Sequence, residues 1–441
     1  MKYFSLELKA LSPLAIRADH ATGGADTAKS ISGTTLAGSL AAVYRLWPSG
    51  DAKGFEALFL SGKLSYPYLY PALFKDSNLH TPDFPVYPLP KTAHSCKRFS
   101  GFQYMTEDEI EKGEKRRHGV RDELFDWTLF NRSRELSRNI SDTLAIMERH
   151  KYCPGLSKEL DCQQMMEAFS GYYSRLDRER LLAAQIDAHT RLQTRTGINR
   201  QSGTVEEGIL YNRQVFDDGM RFWGVVRVDD ENDSKLAEEF QTLLTQIGNS
   251  RLVRVGTGRT RGLGKVSLTM TPVKDEAHSL DTFKEKLVKF NNSLRQEAEA
   301  IGLKDHLQPF YFALTLHSPT ILYDDLLRYR GRIDVPMLAE LAGLSPELFP
   351  AKMFQLVYQT ASIRRITGWN ELWGTPRMNE YAIDTGSVFM FACLQPLNDT
   401  LFNTLVQSLF RLEEQGIGQC RGEGFGRVCV SDPFHREVKL V

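Results

Sequence analysis

An α+β fold made of two tandem ferredoxin-like units is what this 441-residue sequence predicts. Three observations carry that expectation. A glycine-rich loop occurs twice: Arg254–Val266 holds four glycines and four basic residues, and Gly416–Val430 repeats its pattern, with Gly262-Leu-Gly264-Lys-Val266 matching Gly424-Phe-Gly426-Arg-Val428. Each loop follows a helix pattern and precedes a strand pattern. Finally, the offset between the halves changes along the chain. It is 306 residues at Leu11-Ser-Pro and His317-Ser-Pro, 171 at the polar loops Gly197–Gly203 and Gly368–Gly374, 167 at Phe222–Val226 and Phe389–Cys393, and 162 at the glycine loops. An offset that falls by 135 places an insertion of that length in the first copy.

Taken in order, Tyr3 to Ile16 alternates apolar and polar residues, as a half-buried strand does. Ala21 to Ser32 is a small-residue loop carrying Lys29. Thr34 and Thr35 offer N-caps to a helix whose Leu36, Leu40, Val43 and Trp47 share a face. Ala37-Gly38-Ser39 keeps another face small, open to close approach by a second backbone such as the glycine loop.

From Pro48 to about Arg180 the periodicity breaks. Prolines crowd between Pro67 and Pro90, a charged stretch runs from Glu107 to Arg121, and a helix is expected near Asp122–Phe130. Regular structure resumes at about Gln185, with strands at Gly208–Phe216 and Arg221–Val228. Leu236, Phe240, Leu243, Leu244 and Ile247 then fall on one helix face, and Val266, Leu268 and Met270 alternate as a strand. The order is β-α-β-β-α-β. The boundaries are a first unit at 1–272 with an insertion at about 48–184, a helical connection at 273–307, and a second unit at 308–441.

The glycine loop is not a nucleotide motif. A dinucleotide fingerprint needs a third glycine where Arg261 stands, and a P-loop needs a shorter span with Ser or Thr after the lysine. Both motifs run strand–loop–helix, the reverse of the order here. What remains is a loop of tight turns bearing Arg259, Arg261 and Lys265, able to offer N–H groups and cations to a polyphosphate chain. A solvated glycine turn is the plainer alternative.

Composition bounds the rest. Net charge is zero, so any nucleic-acid surface is local, and 41% hydrophobic residues suffice for sizeable cores. No apolar run approaches the ~20 residues of a membrane span. The N-terminus reads as a strand and not a signal peptide, and six cysteines in so long a chain make no disulfide framework, so a cytoplasmic protein is expected.

These features resemble the RAMP superfamily of CRISPR-associated proteins. The residues concerned are the Leu11-Ser-Pro-Leu start, Ser32-Gly-Thr-Thr-Leu-Ala-Gly-Ser-Leu40, the Phe222-Trp-Gly224 strand and both glycine loops. His94-Ser-Cys96-Lys, His118-Gly-Val-Arg-Asp122 and Gly203–Tyr211 resemble the tandem-domain subunit of type III-D effectors, related to the subunit that holds the 5′ handle of the CRISPR RNA.

The resemblance implies RRM/RAMP-type folds and a non-catalytic, RNA-binding subunit of an antiviral ribonucleoprotein. Its partners would be the CRISPR RNA handle, the large polymerase-like subunit and the backbone RAMP subunits, with target RNA met only indirectly and no membrane. A single-stranded RNA end is held by cations, N–H groups and stacking aromatics. Candidates for that contact are Arg17, His20, Lys29, Ser32, Thr34, Arg195, Arg200, Arg213, Arg259, Arg261, Lys265, Arg421 and Arg427.

No cofactor is required by this reading. Cys96, His118, Cys153 and Cys162 nonetheless all fall in the insertion, and four soft ligands suit a tetrahedral structural zinc site. The eight residues between Cys153 and Cys162 exceed a zinc-knuckle spacing, His94 is an alternative ligand, and ordinary reduced thiols are the competing reading. Cys393, Cys420 and Cys429 read as packing.

Two rivals remain. One is a precursor-processing endoribonuclease using His20 as general acid or base; for target cleavage instead, Asp19 and Asp26 are the carboxylates to test. The other is a scaffold whose loops grip protein partners.

Overall fold

A computed structural model of the protein describes residues 1–18, 26–47, 50–72, 85–103, 107–136, 140–155, 162–175, 183–186, 188–199, 201–229, 235–250, 252–273, 278–370 and 374–437. Helices and antiparallel sheets alternate along the chain, an α+β architecture.

The first sheet runs Val266–Pro272, Lys2–Ala10, Arg221–Val228 and then the short Leu64–Ser65, with Tyr70–Pro71 also on Arg221–Val228. Register is set by pairs such as Leu6 with Gly224 and Leu8 with Leu268. Phe4, Leu6, Leu8 and Ala10 point into one core, against Leu36, Leu40 and Val43 of the helix Gly33–Tyr44 and Phe240, Leu243, Leu244 and Ile247 of the helix Lys235–Ser250. Ser5 and Glu7 face the other way, to Trp223 and Arg221.

The second sheet runs Phe354–Thr360, Val388–Cys393, Phe310–Leu316, Val428–Val430. In both sheets the strand order is fourth, first, third, second. Every residue of Phe310–Leu316 is buried, because this sheet is covered on both faces. Phe310, Phe312, Leu314 and Leu316 meet the helix Asp399–Gln415, while Tyr311 and Ala313 meet Phe290 and Leu294 of the helix Leu280–Ala300 and Leu124, Phe125 and Leu129 of the helix Leu124–Glu135. Two-sided burial explains why this strand shows no apolar–polar alternation over Phe310–Leu314. The helix expected only as a connection is therefore part of the second core. Its buried Asn291 accepts from the Tyr311 N–H at 2.8 Å and donates to the Tyr311 carbonyl at 2.9 Å, which satisfies the amide inside the core.

Several expectations are corrected. Gly208–Phe216 is not a strand of the main sheet. Val205–Phe216 pairs with Thr190–Ile198 as a separate two-stranded hairpin. The second strand of the first sheet is supplied earlier, by Leu64–Ser65 and Tyr70–Pro71, so residues 64–71, read as part of an insertion at 48–184, belong to the sheet. These strands are two residues each, too short to show a period. The helix cap is Ser32, which accepts from Thr35 N–H at 3.2 Å, and not Thr34 or Thr35. Gly38 has open space around it, and the close backbone approach occurs at Gly33.

Among the described residues, the remainder of the first half holds two three-stranded sheets: Val86–Pro88, Tyr172–Arg175 and Ala183–Ile186, and Val120–Asp122, Ala93–Cys96 and Met166–Ala168. Among the described residues, no helix is long and apolar enough to cross a membrane.

Candidate nucleic-acid interface and metal-ligand cluster

The two glycine loops repeat each other closely in backbone conformation. Gly256, Gly258, Gly262 and Gly264 have φ of 84°, 73°, 81° and 86°; Gly418, Cys420, Gly424 and Gly426 have 76°, 56°, 89° and 71°. This left-handed region costs little only for glycine. Between the middle pair, each loop makes one 3-10 turn, Arg259–Arg261 or Arg421–Glu423.

Each loop is clamped to its own Ser-Pro segment. Thr257 N–H donates to Ala15 O at 2.8 Å and Gln419 N–H to Ile321 O at 3.0 Å; Gly264 N–H donates to Pro13 O at 3.0 Å and Gly426 N–H to Pro319 O at 2.9 Å. Ser12 Oγ accepts from Lys265 N–H at 2.9 Å, and Ser318 Oγ from Arg427 N–H at 2.8 Å. The outer glycines thus exist for backbone approach. A Cβ on Gly256 would lie 2.4 Å from Ala15 O, and one on Gly418 2.3 Å from Ile321 O.

Their surroundings differ. The second loop is covered by the first unit. Tyr66 N–H donates to Gly422 O at 2.9 Å and Thr34 Oγ1 to Glu423 Oε2 at 2.8 Å; from the second unit itself, Arg377 donates to both Glu423 oxygens at 2.9 and 3.2 Å. Arg427 donates to Ser65 Oγ at 2.8 Å; burial, and then the neighbouring Arg227 guanidinium, draw its pKa well below the usual arginine value. Arg227 in turn caps the helix Asp399–Gln415 at the Glu413 and Glu414 carbonyls. Thr34 and Arg427 therefore join the two halves, and Ser32 is the helix cap. Arg421 is exposed, with its carbonyl held by Ser65 Oγ at 2.6 Å.

The first loop is open. A Cβ on Gly262 would meet nothing within 4 Å, whereas one on the equivalent Gly424 would strike Tyr66 O at 2.4 Å. Arg261, at the position of Glu423, is exposed and donates to Tyr211 Oη at 2.9 Å. The Arg213 guanidinium passes over Gly258, 2.8 Å from where a Cβ would sit. Leu263 packs on Val215 and Ala15, which seats the hairpin Thr190–Phe216 on the loop. Arg195 stands opposite Tyr211 in the hairpin and bonds Gln193 at 3.0 Å. Exposed Arg17 bridges to Thr27, whose N–H donates to Gln214 Oε1 at 3.1 Å.

The structure thus brings together Arg213, Arg261 and Tyr211, with Arg195 and Arg259 adjoining. Lys265 contributes backbone bonds to the clamp, and Lys29 is exposed on the connection before Ser32. His20, Asp19 and Arg200 lie outside the described residues. Sequence reasoning missed the hairpin, whose alternation over 190–198 and 205–216 flanks a Gly203 turn. It carries exposed Leu192, Ile198, Val205 and Leu210 beside its cations.

Cys96, His118, Cys153 and Cys162 also converge. Their ligand atoms all lie within 4.8 Å of one another. Cys96 and Cys162 sulfurs are 3.8 Å apart, and His118 Nδ1 is 3.2 Å from Cys153 Sγ. Burial lowers the His118 pKa, and burial first among its causes pushes the Cys153 thiol up to about 12. His94, the alternative ligand, lies instead 3.4 Å from Glu123.

A separate buried network went unseen in the sequence. His435 bonds Asp122 at 2.9 Å and Thr315 at 2.8 Å, and His317 bonds Asp432 at 2.6 Å. Burial works against the charged His435, but the Asp122 carboxylate, with Asp432 beyond it, outweighs it and holds the pKa above its ordinary value.

Two antiparallel sheets of one strand order, each closed by a glycine loop clamped to a Ser-Pro segment, define a duplicated α+β protein with one loop open and basic. The chain belongs to the RAMP superfamily, which it matches over residues 7–267. No curated protein matches the sequence significantly. Among solved structures, it is similar to a chain of the Type III-B Cmr-beta complex bound to cognate target RNA and AMPPnP, at 12% identity over 88% of this chain and 86% of that one, TM-score 0.34. A chain of the Csm3–Csm4 subcomplex of the type III-A CRISPR-Cas interference complex shows 13% identity over 91% and 96%, TM-score 0.34. Oligomeric Cmr4 from Pyrococcus furiosus shows 12% identity over 62% and 100%, TM-score 0.26. Likenesses at this level carry no functional weight.

Proposed function

We propose that the chain is a guide-RNA-binding structural subunit of a type III CRISPR interference complex. In this reading it has two ferredoxin-like units, holds the 5′ repeat-derived handle, and caps the backbone beside the large polymerase-like subunit. One observation carries it: of two loops with the same backbone, the second is packed against the first unit at Gly422 and Gly424 while the first has open space at Gly262, and the first bears Arg259 and an exposed Arg261 that bonds Tyr211, with Arg213 over Gly258. Cations fixed by a rigid loop suit phosphates, and an adjoining tyrosine and exposed apolar hairpin suit unstacked bases. Glu423, at the second loop's equivalent position, is engaged by Thr34 and Arg377. RAMP membership agrees with this reading.

The test is binding of repeat RNA across a salt series. Removing one cation from a phosphate should lower the magnitude of the log–log salt slope by about 0.7 for a single strand, so Arg259→Ala with Arg261→Ala should lower it by about 1.4. Arg421→Ala, on the loop whose backbone is held by Ser65 and Tyr66 of the first unit, should change it little. An unchanged slope in the double variant would remove the proposal. RNA cleavage that disappears in His20→Ala would replace it with the processing enzyme.

A further inference from the structure

We infer that Cys96, His118, Cys153 and Cys162 bind one zinc ion that holds the inserted region together. A tetrahedral site with Zn–S of about 2.3 Å has S–S edges of about 3.8 Å and S–N edges of about 3.5 Å. The Cys96–Cys162 separation is 3.8 Å and the Cys153–His118 separation 3.2 Å. A disulfide would need about 2.05 Å, so the sulfurs stand at ligand spacing and not at bonding distance. Three sulfurs and one nitrogen complete four-coordination and leave no open position, the pattern of a structural site.

The surroundings fit a metal–thiolate centre. In Cys153-Pro154-Gly155, Gly155, at φ 78°, aims its N–H at Cys153 Sγ, 3.4 Å away. Such N–H groups stabilise thiolate charge at metal sites. The His118 ring stacks on Phe99 at 4.4 Å, which fixes the imidazole plane. Three thiolates and a dication leave one net negative charge, and Arg98 and Lys115 lie over the Phe99 ring, 5.4 and 5.9 Å from its centroid.

The four ligands also come from four separate segments. Cys96 ends the strand Ala93–Cys96, His118 precedes Val120–Asp122, Cys153 follows the helix Ile140–Lys151, and Cys162 precedes Met166–Ala168. Among the described residues, the apolar cluster joining them holds, beyond the thiols, Met166 and the partly buried Phe99. A site that joins segments with so thin a core adds its binding free energy to folding.

The experiment is metal analysis of the full-length protein, purified under reducing conditions without chelator. About one zinc per chain is expected. Cys96→Ser and Cys153→Ser should lose it to background, while His118→Cys, which restores a four-ligand set, and Cys420→Ser, away from the cluster, should retain it. Cobalt exchange into the wild type should give thiolate-to-cobalt charge transfer and tetrahedral ligand-field bands, a readout that does not depend on any variant folding. Folded wild type that takes up neither zinc nor cobalt, an iron–sulfur chromophore with stoichiometric iron, or full occupancy in both serine variants would each overturn the assignment.

Discussion

Replacing Gly256 by alanine separates the two roles a glycine plays in these loops. Both Gly256 and Gly262 are left-handed, at φ 84° and 81°. Alanine there costs ~1–2 kcal/mol from backbone conformation alone. At Gly262 nothing else is added, because the new methyl meets open space. At Gly256 the methyl would sit 2.4 Å from the Ala15 carbonyl oxygen. Backbone must give way by ~1 Å to reach ordinary contact. The oxygen displaced is the one that accepts from Thr257 N–H at 2.8 Å and Thr257 Oγ1 at 3.2 Å. Losing two such bonds adds ~1–3 kcal/mol. The expected destabilisation is therefore ~3 kcal/mol for Gly256→Ala against ~1 kcal/mol for Gly262→Ala. With about 2–4 °C per kcal/mol for a unit of this size, thermal midpoints should fall by about 6–12 °C and about 2–4 °C. Calorimetry in one buffer measures both. Gly418→Ala, 2.3 Å from Ile321 O, should behave like Gly256→Ala. Equal shifts at 256 and 262, or the larger at 262, would refute the claim that the outer glycines serve the clamp on the Ser-Pro segment.

Two further predictions concern buried charge. His435 has a folded pKa above its unfolded value of about 6.5, so its pairing with Asp122 stabilises fully below that value and is lost as pH rises through the folded pKa. Thermal midpoints from pH 5 to 9 should fall more steeply in the wild type than in His435→Gln; parallel curves would remove the assignment. Burial pushes the Asp126 carboxyl up to about 8, with Arg121 opposing and Asp122, Glu297 and Glu123 adding to it. The folded state then binds this proton more tightly, and stability falls as pH rises from about 3.9 to about 8. Asp126→Asn should gain little at pH 4 and progressively more towards pH 8, and a gain independent of pH would contradict the burial argument.

Much of the site was legible because it is local. A left-handed residue needs glycine wherever the chain is, so the paired glycines announced both loops, and even Cys420 entering the same region leaves the pattern readable. Ser12-Pro13 and Ser318-Pro319 were legible as a repeat, though their part in clamping the loops was not. The sequence named the four metal-ligand candidates, but their spacing argued against them. Strand pairing of Ser95 with Val120 brings Cys96 towards His118, and Cys153 N–H bonded to Gln164 O at 2.8 Å returns the chain to Cys162. Neither pairing has a sequence period.

By itself, then, the sequence determined what depends on neighbours in the chain: the α+β alternation, the helix faces, the duplicated loops and their conformation. Tertiary structure alone decided that two-residue strands complete the first sheet, that 190–216 is a hairpin, and that Arg427 and Thr34 join the halves while Arg261 faces solvent. Exposure is a property of what packs against a loop. Two loops with one backbone carry different chemistry because Tyr66 and Gly33 pack on one of them, while among the described residues a Cβ on Gly262 would meet nothing within 4 Å.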